Sequence, residues 1–306
     1  MGKTKYAFLL CSSAILLLLV AGCERNRAAF NPSMDQSETP AEPDTAKVVY
    51  AGVRSSSYGI DPFPEPAEWR AAMEIMSGYF TGSKPCAIWI VGEIWGSDCH
   101  LFFPSDGRAH PNVSFQNLDD HERFLSDFDF HGIRVFLQVE PSDADMGILV
   151  DLVMNRYKHH PCVVGFGVDV EWYRETSHPG WGAKVPNDTA RAWEARVKRH
   201  GSDYRLFLKH WDHGWMPQQY RGDIVFVNDS QGFPNLQSMV NEFKNWGRFF
   251  RPNRVFFQIG YEADQNWWGR LTCPPETMGK AIADQIEQQC GIFWVDFTLS
   301  DVLPAS

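Results

Sequence analysis

Cysteine is scarce and badly spaced for any of its usual roles. Beyond residue 23 only Cys86, Cys99, Cys162, Cys273 and Cys290 occur. None forms a C-x-x-C pair or falls in a zinc-finger spacing. Five is an odd number, so at least one thiol stays unpaired unless another chain supplies a partner. The thiols read mostly as buried packing residues. No Gly-x-Gly-x-x-Gly opens a helix, which argues against the dinucleotide-binding form of an open doubly wound sheet. Outside the extreme N-terminus there is no basic run, and the formal charge is −10. Nucleic acid and anionic membrane surfaces are therefore poor partners. There is no internal repeat and no sign of a second domain.

What is present starts with a leader. Lys3 and Lys5 precede an apolar stretch from Ala7 to Ala21, too short to span a membrane comfortably. The stretch ends Leu19-Val20-Ala21-Gly22-Cys23. This resembles the bacterial lipoprotein signal, with small residues just before a Cys. The resemblance implies removal of residues 1–22, lipid modification of Cys23, and an extracytoplasmic place in the bacterial cell envelope. Membrane contact would come through that lipid anchor. Residues 23–47 are rich in Pro, Ser, Asn, Asp and Glu and read as a flexible tether. Residues 48–306 remain, roughly 260, the usual size of one barrel domain.

In that span eight short apolar, β-branched or aromatic runs recur: Val48–Arg54, Ala87–Ile94, Ile133–Glu140, Val163–Glu171, Tyr204–Trp211, Asp223–Asp229, Arg254–Tyr261 and Ile292–Thr298. Near-continuous apolarity suits parallel strands covered by helices. Helical stripes lie between them, such as Trp69, Ala72, Met73, Met76 and Phe80. Another stripe is Leu118, His121, Phe124, Leu125 and Phe128, with Asn117 placed as its N-cap. Alternation of eight strands with helices predicts an α/β fold, a single (β/α)8 TIM barrel. Too few residues follow strands five and eight for full helices, so those two are expected to be short or missing.

Chemistry in such barrels gathers at the C-terminal strand ends. Six strands turn polar there, supplying Gln138, Glu140, Asp169, Glu171, Lys209, Asp229, Gln258, Glu262 and Asp296. Strand alternation puts Asp169 with Glu171, Gln138 with Glu140, and Gln258 with Glu262 on shared faces. The intervening Val139, Val170 and Ile259 suit the helix-facing side. Two carboxylates as close as Asp169 and Glu171 in a semi-enclosed cleft do not both ionise freely, so one becomes a general acid. Twelve Trp occur in the chain. Some fill the core; Trp95, Trp172, Trp211, Trp215, Trp267, Trp268 and Trp294 lie at or just after strand ends, where flat apolar faces suit sugar rings. Arg54, Tyr58 and the loop Cys99–Asn117 are expected to wall the cleft.

The stretch Arg156-Tyr157-Lys158-His159-His160-Pro161-Cys162-Val163-Val164-Gly165-Phe166, leading to Glu171, resembles the passage into strand four of clan A retaining glycoside hydrolases. That resemblance implies Glu171 as acid/base and Glu262 as nucleophile, although Val170 stands where the clan has Asn. Gly167-Val168-Asp169-Val170-Glu171-Trp172-Tyr173 resembles the strand-four signature of family 18 chitinases and related endoglycosidases. There a carboxylate two residues before the acid, here Asp169, assists the substrate's acetamido group. Each resemblance covers about 15 to 20 residues, and the two imply different nucleophiles.

Three functions follow. The first is a glycoside hydrolase acting outside the cytoplasm on a glycan or polysaccharide, with Glu171, Asp169 and Glu262 catalytic. Its substrate would lie against Gln138, Glu140, Trp172, Lys209, Trp211, Asp229, Gln258, Trp267, Trp294 and Asp296. It would need no cofactor and no metal. The second is a glycan-binding barrel without catalysis. The third is a metal-dependent hydrolase drawing on Asp169, Glu171, His210, Asp212, His213 or Asp229.

Overall fold

A computed structural model describes residues 45–303. The leader, Cys23 and nearly all of the tether lie outside the described residues. Ten strands form one sheet: β1 (Val48–Ser55), β2 (Lys84–Trp95), β3 (Asp98–Leu101), β4 (Val113–Phe115), β5 (Arg134–Val139), β6 (Val163–Asp169), β7 (Arg205–Lys209), β8 (Val225–Asn228), β9 (Val255–Ile259) and β10 (Cys290–Val295). Eight of them run parallel in the order β1-β10-β9-β8-β7-β6-β5-β2, and β1 also pairs with β2. That last pairing closes the barrel, and the fold is the expected (β/α)8 architecture. The remaining two strands build a small extension on the loop after β2. There β3 returns antiparallel along β2, and β4 lies parallel to β3. It includes the segment Cys99–Asn117 expected to wall the cleft, none of which lines either hollow of the candidate active site.

The outer helices are α1 (Pro66–Gly78), α2 (Glu122–His131), α3 (Met146–Tyr157), α4 (Asn187–His200), α5 (Leu236–Phe250), α6 (Gln265–Trp268), α7 (Pro274–Ala283) and α8 (Leu299–Val302). As expected, only a three-residue 3₁₀ turn (His213–Trp215) follows β7, and a four-residue helix follows β10. None of the described helices is long and apolar enough to cross a membrane. The second helix starts later than its stripe suggested. Leu118 is exposed, and Asp119 accepts from the N–H groups of His121 and Glu122, so it closes the N-terminus in place of Asn117.

Strand alternation sorts the core into two layers. Phe136 of β5 meets Phe256 of β9 edge-to-face at 5.5 Å, although those strands are not neighbours in the sheet. The contact therefore crosses the barrel interior, where Phe207, Val227 and Phe293 join it. Val139, Val168, Val170 and Ile259 pack instead with the helix layer. Gly167 leaves room for this filling: a Cβ there would come within 2.0 Å of the Phe207 ring. The result is a stoppered barrel on which polar residues can only collect above the aromatic plug.

Candidate active site

Above the plug, the last inward residues of β6 and β7 are Asp169 and Lys209, opposed in the final register pair of that ladder. The Lys209 ammonium lies 2.8 Å from Asp169 Oδ2, 2.5 Å from Asp229 Oδ2 and 4.0 Å from Glu171 Oε1. Lys209, Asp169 and Asp229 are buried. Burial alone would discharge the lysine, but the three carboxyl groups outweigh it and hold its pKa well above the ordinary value. Burial pushes Asp169 up; Lys209 opposes this, while Asp229 and Glu140 add to it. Asp229 falls below its usual range despite burial, because Lys209 faces it and Glu171 hydrogen-bonds to it. Glu171 rises far above the carboxylate range through desolvation first and the Asp229 charge second. The two shifts run in opposite directions and favour protonation of Glu171 over Asp229.

Glu171 does not sit on the strand. β6 ends at Asp169 and the chain turns into a 3₁₀ segment, Val170–Trp172. The expectation that Asp169 and Glu171 share a strand face is corrected accordingly. They still converge, because the turn brings Glu171 back over Lys209. The same happens after β9, where Glu262 opens the 3₁₀ turn Glu262–Asp264, and after β10, where Asp296 opens another. In each case the parallel ladder has run out of partners, so the last polar residues leave the strand geometry.

Beside this cluster opens a cleft of about 500 Å³ lined by Arg54, Tyr58, Glu93, Ile94, Glu140, Asp169, Glu171, Trp172, Lys209, Asp229, Gln231, Tyr261, Glu262 and Phe297. A second hollow of about 560 Å³ shares Glu171, Asp229 and Gln231 with it, and adds Trp211, Asp212, His213, Ser230, Phe233 and Glu242. Glu171 and Asp229 therefore stand on the saddle between two open lobes. Tyr58 donates to Glu140 Oε1 at 2.6 Å, and burial raises the Glu140 carboxyl. Ser57 donates to Glu93 through its N–H at 2.9 Å and its hydroxyl at 2.7 Å.

The other expected residues divide. Glu140, Trp172, Lys209, Trp211, Asp229 and Glu262 line the two lobes with Asp169 and Glu171. Gln138, Gln258 and Asp296 do not; they lie fully buried underneath. The Gln138 amide reaches toward Asp169 Oδ2 at 3.5 Å, and Gln258 accepts from the Tyr261 hydroxyl at 3.1 Å. Asp296 is spent on Arg54, at 2.7 Å, and on Ser56. Trp294 is core: it packs edge-to-face on buried Trp268 and donates to Thr298. Its outward face follows from Phe293, the preceding residue, which points into the barrel. Trp267 donates to the Phe233 carbonyl and lines neither lobe. Trp95 is exposed and stacks on His100 at 3.8 Å.

Glu93 was not anticipated, although Gly92-Glu93 near the end of β2 carried the same polar signal as the other strands. Nor was Trp181, which is half exposed and stands 5.0 Å from Trp211. The donors of the metal-hydrolase reading are not gathered into a ligand set. His210 uses Nε2 on the Trp181 carbonyl and Nδ1 on the Asp212 N–H. Asp212 caps Gly214. The Lys209 ammonium occupies the centre of the carboxylates, where a divalent cation would have to stand.

No protein-family profile matches the sequence, and no curated protein matches it. Among solved structures, a β-glucuronidase from an uncultured Clostridium sp. is similar at 11% identity and a TM-score of 0.38. The match covers 59% of this chain and 37% of that one.

Proposed function

We propose that this barrel is a glycoside hydrolase acting on an extracytoplasmic glycan, held in the cell envelope by a lipid on Cys23. One observation carries the reading: Glu171 and Asp229 stand together on the saddle of a two-lobed open cleft beside the Lys209 ammonium, where burial raises the Glu171 carboxyl while Lys209 holds Asp229 down despite burial. A scissile glycosidic oxygen on that saddle would meet a carboxylic acid that stays protonated at neutral pH, as the leaving group requires. Once the proton is given up, the new Glu171 carboxylate stands 4.0 Å from the Lys209 ammonium, which stabilises it.

The remaining groups have consistent roles. Asp169 and Asp229 fix the ammonium, and Gln138 steadies Asp169 from below. Glu262 is exposed on the cleft wall and is the carboxylate free to approach the sugar ring as nucleophile. Trp172 and Trp211 flank the saddle from the two lobes and offer ring faces for stacking. An acidic cleft of this kind favours neutral or basic sugars over uronates.

The test is a panel of poly- and oligosaccharides with product analysis, on wild type and Glu171→Gln. Wild type is expected to release new reducing ends. Glu171→Gln is expected to lose on the order of 10²–10⁴-fold in rate while still binding the glycan. Full activity in Glu171→Gln on a cleaved glycan removes the assignment. Binding by wild type without any cleavage transfers the protein to the glycan-binding reading.

A further inference from the structure

Away from the cleft, α2 and the turn joining α3 to β6 bring together Glu122, His159 and His160. We propose that these three side chains form a tetrahedral site for a divalent transition metal, Zn²⁺ above all, on the outer wall of the barrel.

The spacing is the first argument. Glu122 Oε1 lies 3.3 Å from His160 Nε2 and 3.5 Å from His159 Nε2. Hydrogen bonds to nitrogen fall at about 2.7–3.2 Å. Ligands sharing one Zn²⁺ at bond lengths of about 2.0–2.2 Å sit about 3.3–3.5 Å apart along a tetrahedron edge. Both distances match the metal edge and exceed the hydrogen bond. All three donor atoms lie within 4.8 Å of one another.

The second argument is the state of His160. Its side chain is 4% exposed, and Nε2 has no hydrogen-bond partner. On the other side of the ring, Nδ1 meets Asp129 Oδ2 at 2.6 Å. A carboxylate can only accept, so Nδ1 carries a hydrogen, and in the neutral imidazole Nε2 is then the lone pair that faces Glu122. That buried lone pair then faces the half-exposed Glu122 carboxylate, two acceptors that a cation between them would satisfy. Carboxylate, imidazole and metal in line is also how ligating histidines are held. Two imidazoles and one carboxylate favour Zn²⁺ over Mg²⁺ or Ca²⁺. With His159 58% exposed, water has access to the fourth position.

A neighbouring trio, Asp129, His160 and Cys162, is not the site. The buried Cys162 thiol is already committed, donating to the Leu125 carbonyl at 3.6 Å. None of the three proposed ligands lines the cleft. The metal would be structural, tying α2 to the entry of β6, the strand that presents Asp169.

The experiment uses the untagged full chain, stripped with chelator, dialysed and titrated with ZnCl₂ by calorimetry, with metal content measured after gel filtration. One equivalent is expected for wild type, with a higher melting temperature in Zn²⁺ and tetrahedral visible bands on Co²⁺ substitution. His159→Ala alters an exposed side chain, and circular dichroism checks its fold. It is expected to weaken binding at least tenfold, as is Glu122→Gln, while Glu171→Gln leaves binding unchanged. Absence of Zn²⁺ binding at millimolar metal overturns the proposal. Binding that His159→Ala and Glu122→Gln leave intact, or that Glu171→Gln removes, also overturns it.

Discussion

The Lys209 ammonium sits between Asp169 of the preceding strand and Asp229 just past the next one, 2.8 Å from the first and 2.5 Å from the second. All three are buried, and the two carboxylates are what makes a charged lysine tolerable there. Removing one member of such a group strands the others. Lys209→Met is therefore expected to cost roughly 3–5 kcal/mol at pH 7. Urea unfolding measures this. The cost should shrink as pH falls toward the ordinary carboxylate range, because the orphaned buried carboxyl groups keep protons that the unfolded chain releases above it, and Asp229→Asn in the same chain should recover part of it. A loss under 1 kcal/mol at pH 7 contradicts the electrostatic account.

Stability should also carry the mark of Glu171. Its folded pKa is raised above the unfolded value, chiefly by burial. From the ordinary carboxylate range upward, the native state therefore keeps a proton that the unfolded chain has released, and stability falls as pH rises. Glu171→Gln cannot ionise and can still donate to Asp229. The variant should equal wild type near pH 4 and gain on it above, by up to about 1.4 kcal/mol per pH unit. Asp169 has a shift of the same sign and stays in both proteins, so the comparison isolates Glu171. Parallel stability–pH curves would show that Glu171 is not protonated in the fold.

Much of this architecture was legible in the chain. Parallel strands covered on one face by helices and on the other by a plug read as apolar runs, which is why eight could be counted. Their ends were harder. Whether Glu171 continues β6 or leaves it depends on where β7 stops offering hydrogen bonds, a property of the neighbour and not of Val170-Glu171-Trp172. Tryptophan was misjudged where proximity to a strand end stood in for side-chain direction. Trp294 follows inward-facing Phe293 and so had to face the helices, whereas Trp172 and Trp211 sit on turns, where alternation no longer applies. The Glu122, His159 and His160 trio was invisible for a simpler reason: its members come from two elements with no motif spacing.

The two family resemblances name different partners for Glu171, and the positions of those partners in the fold separate them. Asp169 is buried under Lys209, while Glu262 is exposed on the cleft wall. An exposed carboxylate can reach an anomeric carbon; one fixed 2.8 Å from an ammonium is better suited to holding charge. Once a cleaved glycan is known, Glu262→Gln is expected to lose on the order of 10²-fold or more in rate, and the product should keep its anomeric configuration. Nuclear magnetic resonance of the first-formed product reads the configuration. If Glu262→Gln stays active and only 2-acetamido sugars are cleaved, the substrate-assisted route through Asp169 takes its place.

The proposed attachment to the envelope rests on Cys23 alone, since a lipoprotein leader would be removed before it and the sequence after it is polar up to the barrel. A single lipidated cysteine therefore decides where the protein partitions. Cys23→Ser should abolish incorporation of labelled fatty acid and prevent release of the leader. The protein should then run at the size of the uncleaved chain. With the lipid-bearing position intact, detergent extraction should be needed to free the barrel from membranes; with a protease site placed in residues 24–44, cleavage should release it without detergent and with the fold unchanged. Wild-type and Cys23→Ser proteins with identical labelling and identical size would show that the N-terminus is handled in another way, and the proposed place in the envelope would fall with the anchor.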